Sequence, residues 1–182
     1  MLYKPFKTSQ DFESLIHMGE TPEGIHWDYK QSLNPKEPAD IAIDLAAFAN
    51  TYGGTHLIGN VEKKENGLKV ASGFVPNIDT EEIKKQVFTH ILDLISPKID
   101  VQIAQFNVSN NVVAAINVEP SVNLISVRSK KDPHAYSFPC RTEYGNRCMS
   151  FEEVEKRMIE NKTRTRRLLA KRTLILFDRG YY

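Results

Sequence analysis

The segment Ile41–Gly59, IAIDLAAFANTYGGTHLIG, constrains the fold of this chain more than any other part of the sequence. Its first half places Leu45 and Ala49 on the same helical stripe as Ile41, among further alanines that allow close packing against a sheet. The pair Gly53–Gly54 then ends the helix, because glycine tolerates the left-handed conformation common at helix C-termini. The apolar run up to Gly59 predicts a buried strand directly after the helix.

The order of these parts argues against a nucleotide-binding loop. A phosphate-binding loop runs from a strand through glycines into a helix, so that the helix N-terminus faces the phosphate. Here the order is helix, glycines, strand, and the chain contains neither G-x-x-x-x-G-K-[ST] nor G-x-G-x-x-G. We therefore interpret Gly53–Gly54 as structural and expect no ATPase.

Length and hydropathy favour a globular protein without a membrane partner. The 182 residues suffice for one domain or two small lobes with a proper core. Nothing in the sequence reaches the ~18 consecutive apolar residues of a membrane span, and the first residues, MLYKPFKTSQDFESL, lack the apolar core of a signal peptide. We expect a cytoplasmic location.

The remaining pattern predicts an α+β fold. Helices are expected at Thr8–Met18, from Asp79 or Thr80 to Ser96, and from a capping box of Ser150 and Glu153 onward; strands are expected at Gly24–Leu33, Thr55–Val61, Leu68–Phe74, Ile99–Val108, Asn111–Val118 and Tyr136–Arg141. A helix–strand–strand order occurs twice, which permits two small sheet-and-helix lobes or one mixed sheet. We expect a domain over residues 1–160 and a basic C-terminal helix or tail over residues 161–182.

The C-terminal segment concentrates positive charge in a chain whose net charge is only +1. Its basic residues between 161 and 172 are uninterrupted by any acid and comprise Lys162, Arg164, Arg166, Arg167, Lys171 and Arg172. Such a run can bind a phosphate backbone, since each neutralised phosphate releases a counterion, and the guanidinium fork fits phosphate geometry. A solvated helix face is the alternative interpretation.

Asp28-Tyr29-Lys30 is the pattern in this sequence with the clearest chemistry. Alternation along a strand places Asp28 and Lys30 side by side on one face. A metal-dependent nuclease needs such a pair, because the carboxylate binds a hard divalent cation and the lysine stabilises charge on the phosphate. Glu23, Glu62 and His26 are further candidates for the same site. The tripeptide alone is weakly specific.

Three stretches together resemble the Schlafen AlbA-2 domain family: EGIHWDYKQSL, AFANTYGGTHLIGNVE and YSFPCRTEYGNRCMSFEEVEKRM. The resemblance is ordered along the chain and covers most of residues 12–160. It implies nucleic-acid binding and, in Schlafen-type members, a metal-dependent endoribonuclease that cuts structured RNA such as tRNA with three carboxylates. RNA is thereby favoured over DNA as partner, and regulation or antiviral defence as setting.

The resemblance assigns roles to residues of this chain. Glu23, Asp28 and Glu62 match the three carboxylates that would bind Mg²⁺ or Mn²⁺, and Lys30 matches the catalytic lysine. Asp28 replaces the usual glutamate and Glu62 the usual aspartate, which changes the reach of each by one methylene. Glu20 is a rival for the first carboxylate.

The resemblance also extends to the late arginine. Arg141 matches this residue of the family, and Arg147 is expected to join it on the nucleic-acid face. An ordinary salt bridge, for example from Arg141 to Glu143, is the alternative.

Three functions follow as hypotheses. The first is a divalent-metal-dependent endoribonuclease, and the second is a DNA- or RNA-binding module that cuts nothing. The third is a dimerising scaffold in which the last helix, with the apolar residues Leu168, Leu169 and Leu174–Phe177, pairs with a second copy.

Overall fold

The computed structural model of this chain describes residues 3–163. Its elements in chain order are α1 (Ser9–Leu15), β1 (Trp27–Lys30), α2 (Pro38–Asn50), β2 (Gly54–Ile58), β3 (Asn60–Glu65), β4 (Leu68–Phe74), α3 (Thr80–Gln86), β5 (Ile95–Ser96), β6 (Val101–Val108), β7 (Asn111–Val118), β8 (Ser126–Arg128), β9 (Tyr136–Ser137), β10 (Pro139–Thr142), β11 (Gly145–Cys148) and α4, which is helical over residues 151–163. The content of helices and strands confirms the predicted α+β class. Arg164, Arg166 and Arg167, with the rest of residues 164–182, lie outside the described residues.

A four-stranded sheet with the order β1-β2-β7-β6 forms the centre of the fold. β1 and β2 run parallel, whereas β7 pairs antiparallel with both β2 and β6. The two helix–strand–strand units recognised in the sequence each contribute to this sheet: β2 follows α2, and β6 and β7 follow α3. The units therefore share one mixed sheet, in which β2 and β7 are direct neighbours.

α2 packs against one face of this sheet in the larger apolar core. Its side chains from Ile41 to Asn50 are buried except at Ile43 and Asp44, so the helix contacts protein on most sides. Gly53 adopts φ of +77°, which confirms the predicted role of the glycine pair in ending the helix and turning the chain. Gly54 lies against the ring of Phe48, and a methyl group at this position would overlap that ring.

A second, aromatic core covers the other face of the sheet. Phe6, Phe12 and Phe106 pack there around the fully buried Tyr29 of β1. α1 joins this core through Phe12, and its first turn is closed by the Thr8 hydroxyl and the Asp11 carboxylate, each of which accepts a backbone N–H from the other's segment. β1 consequently lies between two packed layers, and its polar side chains must find partners inside the protein.

Two predicted strands differ from the structure because the chain bends within them. The strand predicted at Thr55–Val61 is split at Gly59, which has φ of +101°, so that Glu62 lies within β3 rather than beyond the strand end. The strand predicted at Tyr136–Arg141 is two short strands, β9 and β10. The first bend separates the buried β2 from the β3–β4 hairpin, and the second separates the more exposed β9 from the buried β10 of the β10–β11 hairpin.

The other boundaries agree with the sequence pattern to within a few residues. Asp79 caps α3 by accepting the backbone N–H of Glu82, and the helical path continues through a wide turn at Val87–Ile91 and a tight turn at Leu92–Leu94. Ser150 and Glu153 form the predicted capping box at the start of α4. β5, β8 and β11 were not predicted, and the two residues of β5 fall at the end of the predicted second helix. Over residues 3–163, none of the helices combines the length and the apolar character that crossing a bilayer requires.

Candidate metal and nucleic-acid site

A groove of about 380 Å³ opens between the turns of the β3–β4 and β10–β11 hairpins. Mostly charged side chains line it, with one aromatic, one amide and one aliphatic side chain: Glu23, Asp28, Asp44, Lys64, Leu68, Lys69, Arg141, Glu143, Tyr144 and Asn146, with Gly67 and Gly145 at the two turns. Its floor is the sheet edge that carries Asp28. The groove thus collects residues that are separated by more than a hundred positions in the sequence.

Asp28 is the most constrained carboxylate of the groove. Its Oδ1 accepts a hydrogen bond from the Arg141 guanidinium at 2.9 Å, and its Oδ2 lies 2.8 Å from the Lys30 ammonium. Burial by itself would raise the pKa of Asp28, but the charges of His56, Lys30 and Arg141 outweigh burial and hold the pKa well below its ordinary value. Asp28 is therefore a carboxylate that stays ionised although it is only 4% exposed.

Asp28 and four further side chains form a closed ring of contacts. The parallel register of β1 and β2 places His56 opposite Asp28, and the two imidazole nitrogens lie 3.4 Å from Asp28 Oδ2 and 3.1 Å from Asp44 Oδ2. Asn146 donates to Asp44 and accepts from the Arg141 guanidinium at 3.3 Å. The Arg141 guanidinium also donates to Asp28, which closes the ring. The ring therefore joins β1, β2, α2 and the β10–β11 hairpin.

Glu23 borders the same groove from the segment before β1. Its Oε1 accepts the backbone N–H of Tyr29 at 3.1 Å, which fixes the carboxylate beside the strand. Burial and the neighbouring charge of Asp28 raise the pKa of Glu23 to about 7. Burial is the larger cause, and the repulsion between Glu23 and Asp28 adds to it, so that a cation bound between the two carboxylates would relieve this repulsion.

Lys69 of β4 connects Glu23 to the third predicted carboxylate. Its ammonium lies 2.6 Å from Glu62 Oε2 and 3.9 Å from Glu23 Oε1. The charge of Glu62 also acts on Lys30. Burial alone would lower the pKa of Lys30, but the negative charges of Asp28, Asp44 and Glu62 outweigh burial and raise this pKa. Lys69 therefore links Glu62 to Glu23, whereas Glu62 is not among the residues that line the groove with Glu23 and Asp28.

The structure confirms the predicted contact of Asp28 with Lys30. The other candidates, Glu23, Glu20 and His26, lie in different places. Glu23 lines the groove, whereas its rival Glu20 is exposed in the preceding turn and does not. His26 stacks against Tyr3, with ring centroids 6.1 Å apart, outside the groove. The assignment of Glu23, Asp28 and Glu62 as metal ligands stays a prediction.

The predicted nucleic-acid residues also divide into groups. Arg141 is buried and its guanidinium is directed at Asp28 and at the backbone carbonyls of Gly24 and Trp27, so the alternative partner, Glu143, is not its partner here. Arg147 forms a two-pronged exposed pair with Glu153, at 2.7 and 2.6 Å. Lys162 is exposed on α4. Their nucleic-acid contacts stay predictions.

Sequence reasoning missed three members of the ring: Asp44, His56 and Asn146. Two weak signals were present, since Asp44 is an acid within an otherwise apolar helical stretch and His56 interrupts a buried strand. A buried polar residue requires a partner, so each interruption pointed to a contact that the sequence could not identify.

The buried part of this ring can hold a metal ion. Asp28, Asp44 and His56 each offer one ligand atom, and these atoms all lie within 4.8 Å of one another. Carboxylate oxygen and imidazole nitrogen together suit a divalent transition metal. Among the described residues, neither imidazole nitrogen has a partner in hydrogen-bond geometry.

Comparison with known proteins places this geometry in a family context. The profile of the family described as "Schlafen, AlbA_2" matches residues 23–150, which include Glu23, Asp28, Glu62 and Arg141. A search of curated protein sequences gave no match.

Two solved structures are similar to this chain. The crystal structure of the DIP2311 protein from Corynebacterium diphtheriae shares 15% identity and a TM-score of 0.49, and the similarity covers 78% of this chain but only 30% of that one. The solution structure of the N-terminal domain of a RecG-related ATP-dependent DNA helicase protein from Nitrosomonas europaea shares 13% identity and a TM-score of 0.49, over 69% of this chain and 81% of that one.

Proposed function

Because the chain belongs to the Schlafen AlbA_2 family, we propose that it binds nucleic acid and cleaves RNA with a divalent metal ion held by Glu23, Asp28 and Glu62. The observation that carries the proposal is the shared groove of Glu23 and Asp28, in which burial and the charge of Asp28 raise the pKa of Glu23 to about 7. A divalent cation bound between these carboxylates would relieve their repulsion. Structured RNA such as tRNA is the expected substrate class.

The donor set of the groove fits Mg²⁺ or Mn²⁺. Both ions prefer carboxylate oxygens, and a partly open site leaves positions for water and for a phosphate oxygen. A bound ion of this kind would polarise the phosphate and activate a water molecule as nucleophile. The protein's own contributions follow from the contacts around Asp28 and Glu23.

Asp28 is held in one orientation by Arg141 and Lys30, so that it stays ionised as a ligand. Lys30 keeps its proton because Asp28 and the neighbouring acids raise its pKa, and its ammonium is therefore available to stabilise negative charge on the phosphate. Lys69 neutralises Glu62 and approaches Glu23, which lowers the repulsion that a polyanion would meet at the groove.

The groove side of Asp28 fits the ion better than the buried side. On the buried side, His56 lies between Asp28 and Asp44 with a different nitrogen directed at each, and Asn146 already contacts Asp44. A metal ion there would bind one of these nitrogens and displace its contact with a carboxylate. We therefore propose that His56 and Asp44 support Asp28 from behind, that Glu23 binds the ion from the groove, and that Glu62, which Lys69 links to Glu23, is the third ligand.

The test is incubation of the purified protein with total tRNA and Mn²⁺, Mg²⁺ or a chelator. Cleavage is expected with the metal ions only, and Glu23→Gln and Asp28→Asn should abolish it while RNA binding persists. Glu20→Gln is the matched control, because Glu20 is exposed outside the groove. Absence of cleavage by the wild type with either metal, or full activity of Glu23→Gln, would refute the nuclease proposal.

A non-cutting DNA- or RNA-binding module is the second candidate, and one observation favours it. Lys30, Lys69 and Arg141 already neutralise much of the acidic charge, so a polyanion can approach the groove without a metal ion. In that case, binding should persist in chelator and weaken steeply with salt, with a slope that reports the phosphates contacted. No cleavage should appear under any metal condition.

A homodimer is compatible with either activity. α4 exposes Phe151, Met158 and Ile159, each more than half accessible to solvent. Exposed apolar side chains on one helix can bury against a second copy. Light scattering of the wild type and of Met158→Glu tests whether the protein is a dimer. A dimer mass that falls to the monomer mass in the variant supports pairing through α4.

A further inference from the structure

The most exposed aromatic side chain among the described residues stands at the edge of the groove. Tyr144 is 91% exposed at the turn between β10 and β11, and it lines the groove opposite the β3–β4 hairpin. Burial of an aromatic ring is strongly favourable, so a ring left this exposed contributes little to the fold. Because Tyr144 lines the same groove as Asp28 and Glu23, a ligand bound in that groove would cover the exposed ring.

The turn that carries Tyr144 is held by hydrogen bonds of its own residues. The Thr142 hydroxyl donates to the Gly145 carbonyl at 2.8 Å and accepts the Tyr144 backbone N–H at 3.3 Å, and Gly145 adopts φ of +118°. Behind the turn, Asn146 contacts Asp44 and thereby anchors the hairpin to α2. A ring carried by a fixed backbone loses less conformational entropy on binding than a ring on a mobile loop.

The two edges of the groove differ in charge. Lys64 and Lys69 lie on the β3–β4 side, where Lys69 is paired with Glu62, whereas Glu143 accompanies Tyr144 on the β10–β11 side. A phosphate is attracted to the lysine side and repelled by Glu143, so the backbone of a bound strand belongs on the lysine side. The base of the same nucleotide then reaches across the groove to the Tyr144 ring. Aromatic stacking with a parallel row of cations is typical of single-strand recognition.

We propose that Tyr144 is a stacking subsite for an unpaired nucleobase, and that the groove therefore selects single-stranded or looped nucleic acid over continuous duplex. A base inside a duplex is stacked on its neighbours and presents only its edge, so it cannot lie on the Tyr144 ring. The inference deepens the proposed function, on whose nucleic-acid binding it rests, but it does not require cleavage.

The experiment measures dissociation constants in chelator, where no metal-dependent cleavage occurs. The probes are a labelled single strand of about ten nucleotides, the same backbone with abasic positions throughout, and a duplex of equal length. Each probe is titrated with the wild type, Tyr144→Ala and Tyr144→Phe. Tyr136→Ala is the matched control, because Tyr136 is 50% exposed on β9 and does not line the groove.

We expect Tyr144→Ala to bind the base-containing strand about tenfold more weakly than the wild type, and Tyr144→Phe and Tyr136→Ala to bind it as the wild type does. The wild type should prefer the base-containing strand over the abasic one by a similar factor, and Tyr144→Ala should lose this preference. An unchanged preference in Tyr144→Ala, a wild type that binds the abasic strand or the duplex equally well, or a wild type that binds no single strand overturns the proposal.

These outcomes are separable from the test of cleavage. If the metal-dependent nuclease fails while Tyr144→Ala still loses base-dependent binding, the stacking subsite stands and belongs to a non-cutting module. If cleavage succeeds while Tyr144→Ala binds all three probes as the wild type does, the nuclease stands and the subsite is refuted. Thermal denaturation of each variant verifies that it is folded, as expected for changes at exposed rings.

Discussion

The Arg141 guanidinium donates to Asp28 Oδ1 over 2.9 Å, although 113 positions separate the two residues in the sequence. Both side chains are almost completely buried, at 3% and 6% exposure. The same guanidinium also donates to the carbonyls of Gly24 and Trp27. One side chain of the late hairpin thus fixes both the carboxylate and the segment that leads to it.

Arg141→Met should lower the free energy of unfolding by about 2–4 kcal/mol. The loss follows because removal of one partner leaves Asp28 buried with only Lys30 and His56 nearby, and a buried charge without its partner is costly. Urea denaturation measures the change. Arg147→Met is the control: its pair with Glu153 is exposed, and no measurable change is expected. A loss no larger for Arg141 than for Arg147 would show that the buried pair does not hold the hairpin.

Glu23 should make the metal-free protein less stable as the pH rises. Because its pKa is raised from 4.5 to about 7 in the folded state, the folded protein binds this proton more tightly than the unfolded chain does. The favourable contribution is fully present below pH 4.5 and is lost as the pH rises to about 7. Relative to Glu23→Gln, the wild type should lose on the order of 1 kcal/mol across this range, after allowance for solvent screening at a partly exposed group.

Thermal denaturation in chelator at a series of pH values measures this difference. Glu20→Gln is the control, and its stability curve should run parallel to that of the wild type. Parallel curves for the wild type and Glu23→Gln would show that Asp28 and burial do not perturb Glu23, and the main support for a cation between these carboxylates would be removed.

Lys69→Met should tighten the binding of Mn²⁺ several-fold, which corresponds to about 1 kcal/mol. The ammonium of Lys69 contacts Glu62 and approaches Glu23, so it repels a cation that approaches those oxygens. Calorimetric titration of the metal measures the dissociation constant. Lys63→Met is the matched control, because Lys63 is on the same hairpin but pairs with Glu65. Unchanged or weaker binding in Lys69→Met would place the ion elsewhere.

Gly54→Ala should destabilise the protein by about 1–3 kcal/mol, the range found when a methyl group is forced into a packed core. The added methyl group would overlap the buried ring of Phe48, at the point where the chain leaves α2 and enters β2. Gly24→Ala is the control, since open space surrounds that position. Equal unfolding midpoints for the two variants would contradict this close packing.

The spacing of apolar residues predicted most of the fold because each main element buries its own apolar side chains. The apolar residues of the predicted α2 stripe are buried, and the strands predicted at Leu68–Phe74 and Asn111–Val118 are β4 and β7 with the same bounds. The pattern failed where the backbone bends inside an apolar or polar run. The bend at Gly59 starts a new strand, so that Glu62 lies within β3. β11 was not predicted because its four residues have little apolar periodicity.

The candidate site could be predicted only in part. The spacing of Asp28 and Lys30 was sufficient to place them in contact, since neighbouring positions on one strand face are fixed by local geometry. Asp44, His56 and Asn146 could not be assigned to the same site, because their contacts depend on how α2, β2 and the last hairpin pack together. The role of Arg141 changed for the same reason, from an expected surface residue to a buried partner of Asp28.

The sequence alone therefore determined the local features of this protein: where α2 stops, which residues alternate on β1, and which side chains carry charge. These local features depend on the backbone conformation and on the periodic spacing of apolar and polar residues, and both are set within a few neighbouring residues. The tertiary structure decided which charges meet. Only the parallel pairing of β1 with β2 and the return of the last hairpin bring Asp28, His56 and Arg141 together, and these contacts depend on long-range packing rather than on neighbouring residues.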